Sequence, residues 1–351
     1  MDPIPVPLRI EVRYKIHYAK ISRVLFRVKS RRTLSPSLIL QSRRYTDMTV
    51  TAVGSLALDS LVLPSGEYND ILGGSLSHFC SACSLFDASI SMVAVIGKDF
   101  PQEHLDYFRS RGINLDLVQV SEGLTFRWKG QYNLGEMEEA ITLDTQLNVF
   151  ESFSPQFKGE GHETRILFLG NIHPALQRDV AARTVAELKV LDTMNLWIES
   201  TKQELLETLK LVDVLIFNEG EARALTGETD LMKAGLAVLE CGPSHVVIKM
   251  GSKGACLVTR EFSYQVPAYE VDQVQDPTGA GDSFAGGFIG YLSEQAEITP
   301  ETLKQAMIYG NILGSMNVEG IGTSILANSS RSDILSRMNQ FLERTGEACA
   351  E

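Results

Sequence analysis

The segment Gln275–Leu292, with the sequence QDPTGAGDSFAGGFIGYL, combines a glycine-rich turn with an acidic residue. Gly279, Ala280 and Gly281 have almost no side chains, so their backbone N–H groups can lie directly against an anion. Such a turn at the start of a helix presents unpaired N–H groups and the positive end of the helix dipole. Asp282 follows at once, and its carboxylate suits a proton acceptor better than a phosphate ligand. This pairing of a base with an anion site predicts phosphoryl transfer to a hydroxyl.

Two other glycine-rich phosphate motifs do not fit this segment. A dinucleotide-binding fingerprint would need glycine or alanine at position 284, where Phe284 stands. The P-loop pattern G-x-x-x-x-G-K-[ST] does not occur in the chain. The structural alternative is a tight turn before a helix, Ser283–Leu292, that packs through its small residues.

The segment resembles the C-terminal signature of the PfkB family of carbohydrate kinases, and further motifs extend the resemblance over most of the chain from Met48 onward. The resemblance implies an α/β, ribokinase-like three-layer fold, with a mostly parallel central sheet, helices on both faces and a small β-lid. It also implies ATP and Mg²⁺ as cofactors. Asp282 would be the general base, and Gly279, Ala280 and Gly281 would stabilise the transferring phosphoryl group.

Motifs in the first half resemble the substrate side of the family. The strand pattern Thr49–Leu56 ends shortly before Asp59, at the spacing of the family's first substrate-contacting aspartate. Gly73 and Gly74 precede a helix of small residues, and the family's N-terminal signature has a Gly-Gly pair here, close to the sugar. His78 stands where the family usually has asparagine, so it is a pocket-lining candidate with different hydrogen bonding. The alternatives are that Asp59 caps a turn and that His78 has only a structural role.

Two alternating segments predict a strand pair. Phe126 and Trp128 share the apolar face of Thr125–Tyr132, and Ile141–Leu147 alternates after a polar turn. The family folds a β-lid over its sugar, which makes Phe126 and Trp128 substrate-binding candidates, with ordinary packing as the alternative. The predicted lid segments lie near residues 60–72 and 124–148 of a kinase domain that spans 48–351. The sequence leaves open whether the chain forms a homodimer through the lid.

Short apolar runs alternate with helical stretches from Arg165 onward, which predicts a parallel sheet with helices on both faces. The predicted strands are Ile166–Leu169, Leu196–Ile198, Val214–Phe217 and Val246–Ile248.

Asn218 and Glu221 form an N-x-x-E pattern directly after one of these strands. Because they share one helix face, their oxygens could hold Mg²⁺, often through water, although a helix capping box has the same pattern. The family uses this motif to organise Mg²⁺ and phosphate. The resemblance implies nucleotide-binding positions at Asn218, Lys249, Gly251, Gly254, Thr278 and Asn311. It also leaves open a monovalent cation near Asp276.

Composition bears on the functional class. The chain has 351 residues, is 44% hydrophobic and carries a formal net charge of −12, which argues against a nucleic-acid partner. Five cysteines without disulfide spacing predict a reducing, cytoplasmic compartment, and Cys80 and Cys83 are interpreted as core residues of a helix. No run approaches the ~18 apolar residues of a membrane span, so no membrane contact is predicted.

The first 47 residues differ from the rest because they carry eleven basic residues against three acidic ones. They contain no apolar core of a secretory signal. An Arg-rich transit peptide is one interpretation. The favoured one is an upstream extension with translation starting at Met48, because a strand pattern begins directly after it. Removing residues 1–47 is therefore expected to leave activity intact.

Together with these residues, the resemblance implies an ATP- and Mg²⁺-dependent kinase that phosphorylates a hydroxyl of a sugar or sugar-like alcohol. A nucleoside kinase of the same fold is one alternative, because an aromatic lid could stack on a base. A non-catalytic sugar-sensing or interaction protein is the other. The presence of Asp282, Asn218 and Glu221 argues against it.

Overall fold

A computed structural model of the chain describes residues 49–133, 135–157 and 162–346. The predicted N-terminal extension, residues 1–47, lies outside these ranges. The strands of the described residues are β1 (Thr49–Val53), β2 (Ala57–Leu63), β3 (Gly66–Gly73), β4 (Ser89–Gly97), β5 (Asn114–Ser121), β6 (Phe126–Asn133), β7 (Glu136–Gln146), β8 (His162–Leu169), β9 (Thr184–Asp192), β10 (Val214–Asn218), β11 (His245–Lys249), β12 (Ala255–Val258) and β13 (Ser263–Val266).

Nine of these strands form one large sheet, in the order β13-β12-β11-β10-β9-β8-β1-β4-β5. The strands from β11 to β5 in this order pair in parallel, whereas β12 and β13 pair antiparallel at one edge. Parallel strands end at the same edge of a sheet, so the loops that follow β1, β8, β9, β10 and β11 converge. This edge is where open α/β sheets bind ligands.

Helices cover both faces of the large sheet. They are α1 (Ser75–Cys83), α2 (Gln102–Ser110), α3 (Pro174–Arg183), α4 (Asn195–Ser200), α5 (Lys202–Leu209), α6 (Glu219–Thr226), α7 (Leu231–Leu239), α8 (Ala280–Glu294), α9 (Pro300–Asn317), α10 (Ser324–Asn328) and α11 (Arg331–Thr345). Short 3₁₀ turns occupy Asn148–Ser152 and Gly251–Lys253.

Strand β8 shows how the layers form. Successive side chains of a strand point to opposite faces. Ile166 and Phe168 belong to the core shared with α1, α8 and α9, whereas Leu167 and Leu169 belong to the core shared with α3, α5 and α7. All four side chains are fully buried. The predicted α/β fold, with a mostly parallel sheet between two helical layers, is confirmed.

A second sheet of four strands has the order β3-β2-β6-β7. It is built from the chain segments predicted for the lid, and β2 runs parallel to β6 while β3 and β7 pair antiparallel at the edges. Leu61, Leu63 and Tyr132 form its buried cluster, against which Trp128 and Ile321 pack. Ile321 lies beyond α9, so this cluster joins the small sheet to the main body.

One predicted strand is wrong. Leu196–Ile198 lies in helix α4, and the strand at this place in the sheet is β9. The error has a physical reason, because the residues of β9 alternate apolar side chains with Glu187 and Lys189 and so lack a continuous apolar run. Leu188 and Val190 nevertheless point into the core. The other predicted strands of the second half are confirmed as β8, β10 and β11.

Cys80 and Cys83 are buried in α1 with free thiols, as predicted. Burial raises the pKa of both thiols. Among the described residues, no helix has the length and apolar character needed to cross a membrane.

Candidate active site

The glycine-rich turn lies at the N-terminus of α8, where Gly279 is the N-cap residue. Its φ of 71° is in the left-handed region, which favours glycine. A Cβ atom at Gly279 would lie 2.1 Å from Cγ of His78, so a larger residue would not fit. The N–H of Ala280 donates to the Pro277 carbonyl at 3.2 Å. Gly279 and Gly281 have no such acceptor among the described residues, which leaves their N–H groups available for an anion.

Asp282 lies in the first turn of α8, directly after this turn. Its Oδ1 is buried and has no hydrogen-bond partner among the described residues. Burial raises the pKa of the Asp282 carboxyl well above its ordinary value, the carboxylate of Asp192 raises it further, and the ammonium of Lys249 opposes both. A buried carboxylate with an unused oxygen and a raised proton affinity is suited to accept a proton from a bound hydroxyl.

Asp59 lies in β2, beside the two glycines predicted with it. A Cβ atom at Gly73 would lie 2.0 Å from Asp59 Oδ2, so the glycine makes room for the carboxylate. The N–H of Gly74 donates to the same oxygen over 3.4 Å. Burial raises the pKa of Asp59 to about 7, and the nearby Asp276 raises it as well. The structure therefore brings Asp59, Gly73 and Gly74 together, with a carboxyl that titrates close to neutral pH.

We expect Asp59→Asn to change how stability depends on pH. The raised pKa means that the folded protein holds this proton more tightly than the unfolded chain does. The resulting stabilisation is complete below the ordinary pKa of 3.8 and is lost as the pH rises to about 7. An asparagine cannot ionise, so above pH 7 the variant should be more stable than the wild type, by up to about 4 kcal/mol.

Urea denaturation at several pH values between about 4 and 8 measures this effect. Asp106→Asn, at an exposed position on α2, is the matched control. A difference between Asp59→Asn and wild type that stays constant across this pH range would contradict a buried, titrating Asp59.

His78 lies behind the glycine turn, 2% exposed, rather than at an open surface. Its Nδ1 lies 2.9 Å from Oδ1 of Asn317, which also accepts from the Ser283 hydroxyl at 3.0 Å. The Asn317 amide Nδ2 donates to the Thr278 carbonyl at 2.7 Å, so Oδ1 must be the acceptor and His78 the donor. Burial lowers the pKa of His78, which keeps the ring neutral. These bonds tie α1, α8 and α9 to the turn, and substrate contact by His78 stays a prediction.

Asp276 and Thr278 fix the segment before the turn. The Asp276 carboxylate accepts the N–H of Thr278 at 2.9 Å and the N–H of Gly322 at 2.8 Å. The Thr278 hydroxyl donates to the phenol oxygen of Tyr132 at 3.2 Å. Burial raises the pKa of Tyr132 to about 12, and Asp276 and Asp59 contribute. Tyr132 thus connects the small sheet to the turn. It belongs to the same alternating segment, Thr125–Tyr132, from which Trp128 was predicted as a substrate-binding residue.

The two aromatic candidates of the small sheet lie in different surroundings. Trp128 pairs in register with Asp59, so both side chains emerge on the same face of the sheet. Its ring covers Gly130, and its Nε1 donates to the Thr142 hydroxyl at 3.2 Å. Phe126 instead stacks on Phe150, with ring centroids 5.4 Å apart. The structure therefore places Trp128 beside Asp59 and packs Phe126 against the main body.

Asn218 and Glu221 form a capping box at the start of α6. Asn218 Oδ1 accepts the N–H of Glu221 at 2.8 Å, and Glu221 Oε2 accepts the N–H of Asn218 at 2.7 Å. Both residues still lie at the carboxyl end of β10, where Asn218 pairs in register with Lys249 of β11. Among the described residues, no group of three or more His, Cys, Asp or Glu side chains could hold a metal ion.

The remaining nucleotide-side candidates follow β11 or lie on α9. Gly251 has a φ of 55° and opens the exposed 3₁₀ turn. A Cβ atom at Gly254 would lie 2.0 Å from the Val266 carbonyl oxygen, so packing alone accounts for this glycine. The amide of Asn311 donates to the Pro267 carbonyl. The nucleotide-binding roles of these residues stay predictions.

Asp192 is a site residue that the sequence analysis missed. It is the last residue of β9 and is 4% exposed. Its Oδ1 lies 3.5 Å from Nζ of Lys249. Lys249 is the last residue of β11, which is separated from β9 by β10 in the sheet. A carboxylate at the end of a strand could have marked Asp192 as a candidate, but β9 was not predicted to be a strand.

One edge of the molecule therefore carries a turn with two backbone N–H groups that have no acceptor among the described residues, a buried carboxylate beside it and a second carboxylate on the small sheet. The carboxylates of Asp59 and Glu221 also raise the pKa of Asp282, so all three groups lie close enough to interact electrostatically. The arrangement can bind a hydroxyl compound next to an anion and accept the proton of the hydroxyl.

Comparisons with known proteins show which family of proteins the chain resembles. The sequence profile of the pfkB family carbohydrate kinase matches residues 59–330. The cytidine kinase of Thermococcus kodakarensis is 27% identical over 251 residues, which cover 70% of this chain and 88% of that protein. The 2-dehydro-3-deoxygluconokinase of Thermoproteus tenax is 28% identical over 256 residues, which cover 63% of this chain and 73% of that protein.

The fold is shared with solved structures as well. The nucleoside kinase of Methanocaldococcus jannaschii superposes with a TM-score of 0.68 at 18% sequence identity, covering 84% of this chain and 98% of that one. At this level of identity the similarity concerns the fold, which matches the two sheets and helical layers described above.

Proposed function

Because the chain belongs to the pfkB family of carbohydrate kinases, we propose that it transfers the γ-phosphate of ATP to a hydroxyl of a neutral sugar, polyol or nucleoside. The chain is a sugar or nucleoside kinase, and kinases of this family use ATP. The observation that carries the proposal for the chemistry is Asp282, whose buried Oδ1 has no partner among the described residues and stands next to the glycine turn.

Asp282 acts as the general base of the reaction. It takes the hydroxyl proton while the acceptor oxygen forms its bond to the γ-phosphorus and the bond to the β,γ-bridging oxygen breaks, which releases ADP. The N–H groups of Gly279 and Gly281, at the positive end of the α8 dipole, stabilise the charge on the transferring group. A Cβ at Gly279 would clash with the His78 ring and one at Gly281 would lie 2.6 Å from Nζ of Lys249, so neither position has room for a side chain.

Asn218 and Glu221 are the residues that would hold Mg²⁺, mainly through water. Bound Mg²⁺ would neutralise phosphate charge during transfer. The capping box engages one oxygen of each residue with a backbone N–H, yet carboxylate and amide oxygens accept more than one bond. Hard oxygen donors at a strand end suit this ion. A monovalent cation near Asp276 stays a prediction. Both oxygens of that carboxylate already accept backbone N–H groups, so a cation there would have to share them.

Changing this pair should alter the Mg²⁺ requirement. We expect Asn218→Leu and Glu221→Gln each to raise the Mg²⁺ concentration for half-maximal rate by about tenfold, with acceptor affinity little changed. Asp333→Asn, which removes the acidic member of the capping box of α11, is the matched control. Rates titrated against Mg²⁺ in the three variants decide the point. An unchanged Mg²⁺ requirement in both site variants would leave the motif with its capping role alone.

The charges of the site favour a neutral acceptor. The carboxylate of Asp276 raises the pKa of Asp59, and the carboxylate of Asp59 raises the pKa of Asp282. The site therefore already holds several neighbouring negative charges. Arg127, on the adjacent strand, is engaged by the carboxylates of Asp70 and Asp99. A sugar acid or sugar phosphate would bring a further negative charge beside Asp59, in surroundings that already raise its pKa. A hydroxyl compound can instead donate hydrogen bonds to these carboxylates.

The position of Trp128 bears on which neutral compound binds. Its ring emerges on the same face as Asp59, so a ligand bound to that carboxylate could stack on the indole. The C–H face of a sugar and the ring of a nucleoside base both suit this surface. The relative named cytidine kinase supports the nucleoside.

Calorimetric titration of a nucleoside panel and a panel of sugars and polyols separates these acceptors, and a coupled ADP-release assay of the same compounds tests turnover. We expect saturable, ATP-dependent turnover with at least one neutral compound. Binding of a sugar without any ADP release from the whole panel would instead support the sugar-sensing alternative.

A homodimer through the small sheet is part of the proposal. Ile141 and Leu143 on the edge strand β7 are 50% and 48% exposed, and an uncovered edge strand with apolar side chains can pair with another chain. Sedimentation velocity of Ile141→Lys against wild type tests it. A single monomeric species in the wild type at all concentrations would rule the dimer out.

A further inference from the structure

Lys249 ends strand β11 at the edge that carries the site. Its Nζ lies 3.5 Å from Asp192 Oδ1, and its side chain is 18% exposed. The ammonium also packs against the glycine turn, because a Cβ atom on Gly281 would lie 2.6 Å from Nζ. The positive charge is thus held directly against the backbone that the proposed function assigns to the transferring phosphoryl group.

The surroundings keep this ammonium charged. Burial lowers the pKa of Lys249, but the carboxylates of Asp192, Glu221 and Asp282 outweigh burial and raise it overall. An ammonium has three N–H donors, and Asp192 is its one hydrogen-bond partner among the described residues. Two donors are therefore left for a ligand at the turn.

The alternative is a buried ion pair with a purely structural role. Such pairs add little to stability unless their geometry is close and further hydrogen bonds satisfy both partners. A separation of 3.5 Å is long for a charged hydrogen bond, which usually measures about 2.7–2.9 Å. The ammonium is instead positioned between Asp192 and Gly281, and a side chain at position 281 would displace it.

We propose that Lys249 is a further catalytic residue of this kinase, whose ammonium donates hydrogen bonds to the transferring phosphoryl oxygens, and that Asp192 positions it against Gly281. The proposal rests on the proposed function of the turn. Lys249 keeps its proton throughout, since the proton of the acceptor hydroxyl goes to Asp282 and the bond that breaks is the one to ADP. Charge on the phosphoryl oxygens in the transition state is then met by two backbone N–H groups and one ammonium.

A second consequence concerns Asp282, whose pKa is influenced by the charges of Asp192 of β9, Lys249 of β11, Asp59 of β2 and Glu221 of α6. Lys249 is the one cation among these groups. The same ammonium that binds the phosphoryl oxygens therefore helps to keep the general base ionised.

The first test compares Lys249→Met with Lys249→Arg in the full chain. Methionine keeps the length of the side chain without its charge, and arginine keeps the charge. We expect Lys249→Met to lower kcat by about 10²–10³-fold, the effect of removing one transition-state donor, with the acceptor KM within about threefold. Lys249→Arg should recover at least tenfold of this loss. Asp192→Asn, which leaves the ammonium but weakens its anchor, should lower kcat by about tenfold.

Lys189→Met is the matched control, because Lys189 lies on β9 of the same sheet and its Nζ donates to the Ala181 carbonyl at 2.7 Å, outside the site. It should keep wild-type kcat. A kcat within twofold of wild type in Lys249→Met would overturn the proposal. So would a change in ATP KM alone, since the ammonium would then act only in binding.

The second test needs no acceptor and no turnover. Aluminium fluoride with ADP imitates the transferring phosphoryl group, so calorimetry measures how much it tightens ADP binding. We expect the tightening to be at least tenfold smaller in Lys249→Met, or in Lys249→Gln if that variant folds better, than in Lys189→Met. Equal tightening in the two proteins, or none in either, would overturn the proposal. A wild type that binds this complex but phosphorylates no acceptor would count against the proposed function instead.

Discussion

Asp282→Asn is expected to lower turnover by about 10²–10⁴-fold, the usual contribution of a general base, while ATP and acceptor affinities stay within about tenfold. Asparagine keeps the size of the side chain but cannot take the hydroxyl proton. The backbone N–H groups of Gly279 and Gly281 are unchanged, so the anion site should persist. Folding should persist too, because burial disfavours the charged form of Asp282 and an uncharged amide avoids that cost.

Single-turnover phosphoryl transfer combined with ligand titration measures both parts of this prediction. Glu294→Gln, at the other end of the same helix, is the matched control and should keep its turnover. Near-normal transfer by Asp282→Asn would mean that another group is the base. A variant that fails to fold would mean that the carboxylate first stabilises the start of α8.

Gly279→Ala is expected to lower the rate of transfer by about 10²-fold or more and to destabilise the protein by a few kcal/mol. The residue has a φ of 71°, and the added Cβ would meet the His78 ring at 2.1 Å. Left-handed backbone costs an alanine about 1–2 kcal/mol, and the clash must in addition displace the ring or the turn. Displacing the turn moves the N–H groups, and misplaced groups of this kind lower rates by about 10²-fold.

Gly227→Ala separates the backbone cost from the clash. Gly227 ends α6 with a φ of 78°, and nothing lies within 4 Å of its added Cβ. The control should lose about 1–2 kcal/mol of stability and keep its activity. Thermal unfolding and the ADP-release assay, run on both variants, measure these quantities. Equal activity of Gly279→Ala and Gly227→Ala would contradict a role of the turn in catalysis.

The parts of the site that are local in sequence were predictable. The turn and the position of Asp282 follow from consecutive residues, although α8 begins at Ala280, three residues before the predicted start at Ser283. The N-x-x-E motif was also found, but its two interpretations could not be separated from the sequence. The capping box now visible at α6 is compatible with both, since it engages oxygens that could still bind water around a metal ion.

The parts that depend on tertiary contacts were not predictable. Lys249 and Gly281 are 32 residues apart, and only the sheet and α8 together bring the ammonium to the turn. Asp192 was missed because β9 alternates charged with apolar residues and because an apolar run in the following helix was mistaken for the strand. Asn317, which joins His78 to the turn, carries no local signal at all. Its role exists only because α1, α8 and α9 meet there.

The destination of the γ-phosphate tests the central claim most directly. The wild type is incubated with ATP labelled in the γ-phosphate and with neutral sugars, polyols and nucleosides, each beside its acidic or phosphorylated counterpart, and the labelled products are separated. We predict that the label appears in a phosphate ester of a neutral acceptor and that Asp282→Asn removes this product. Label found only in inorganic phosphate, or only in the ester of an anionic acceptor, would contradict the account.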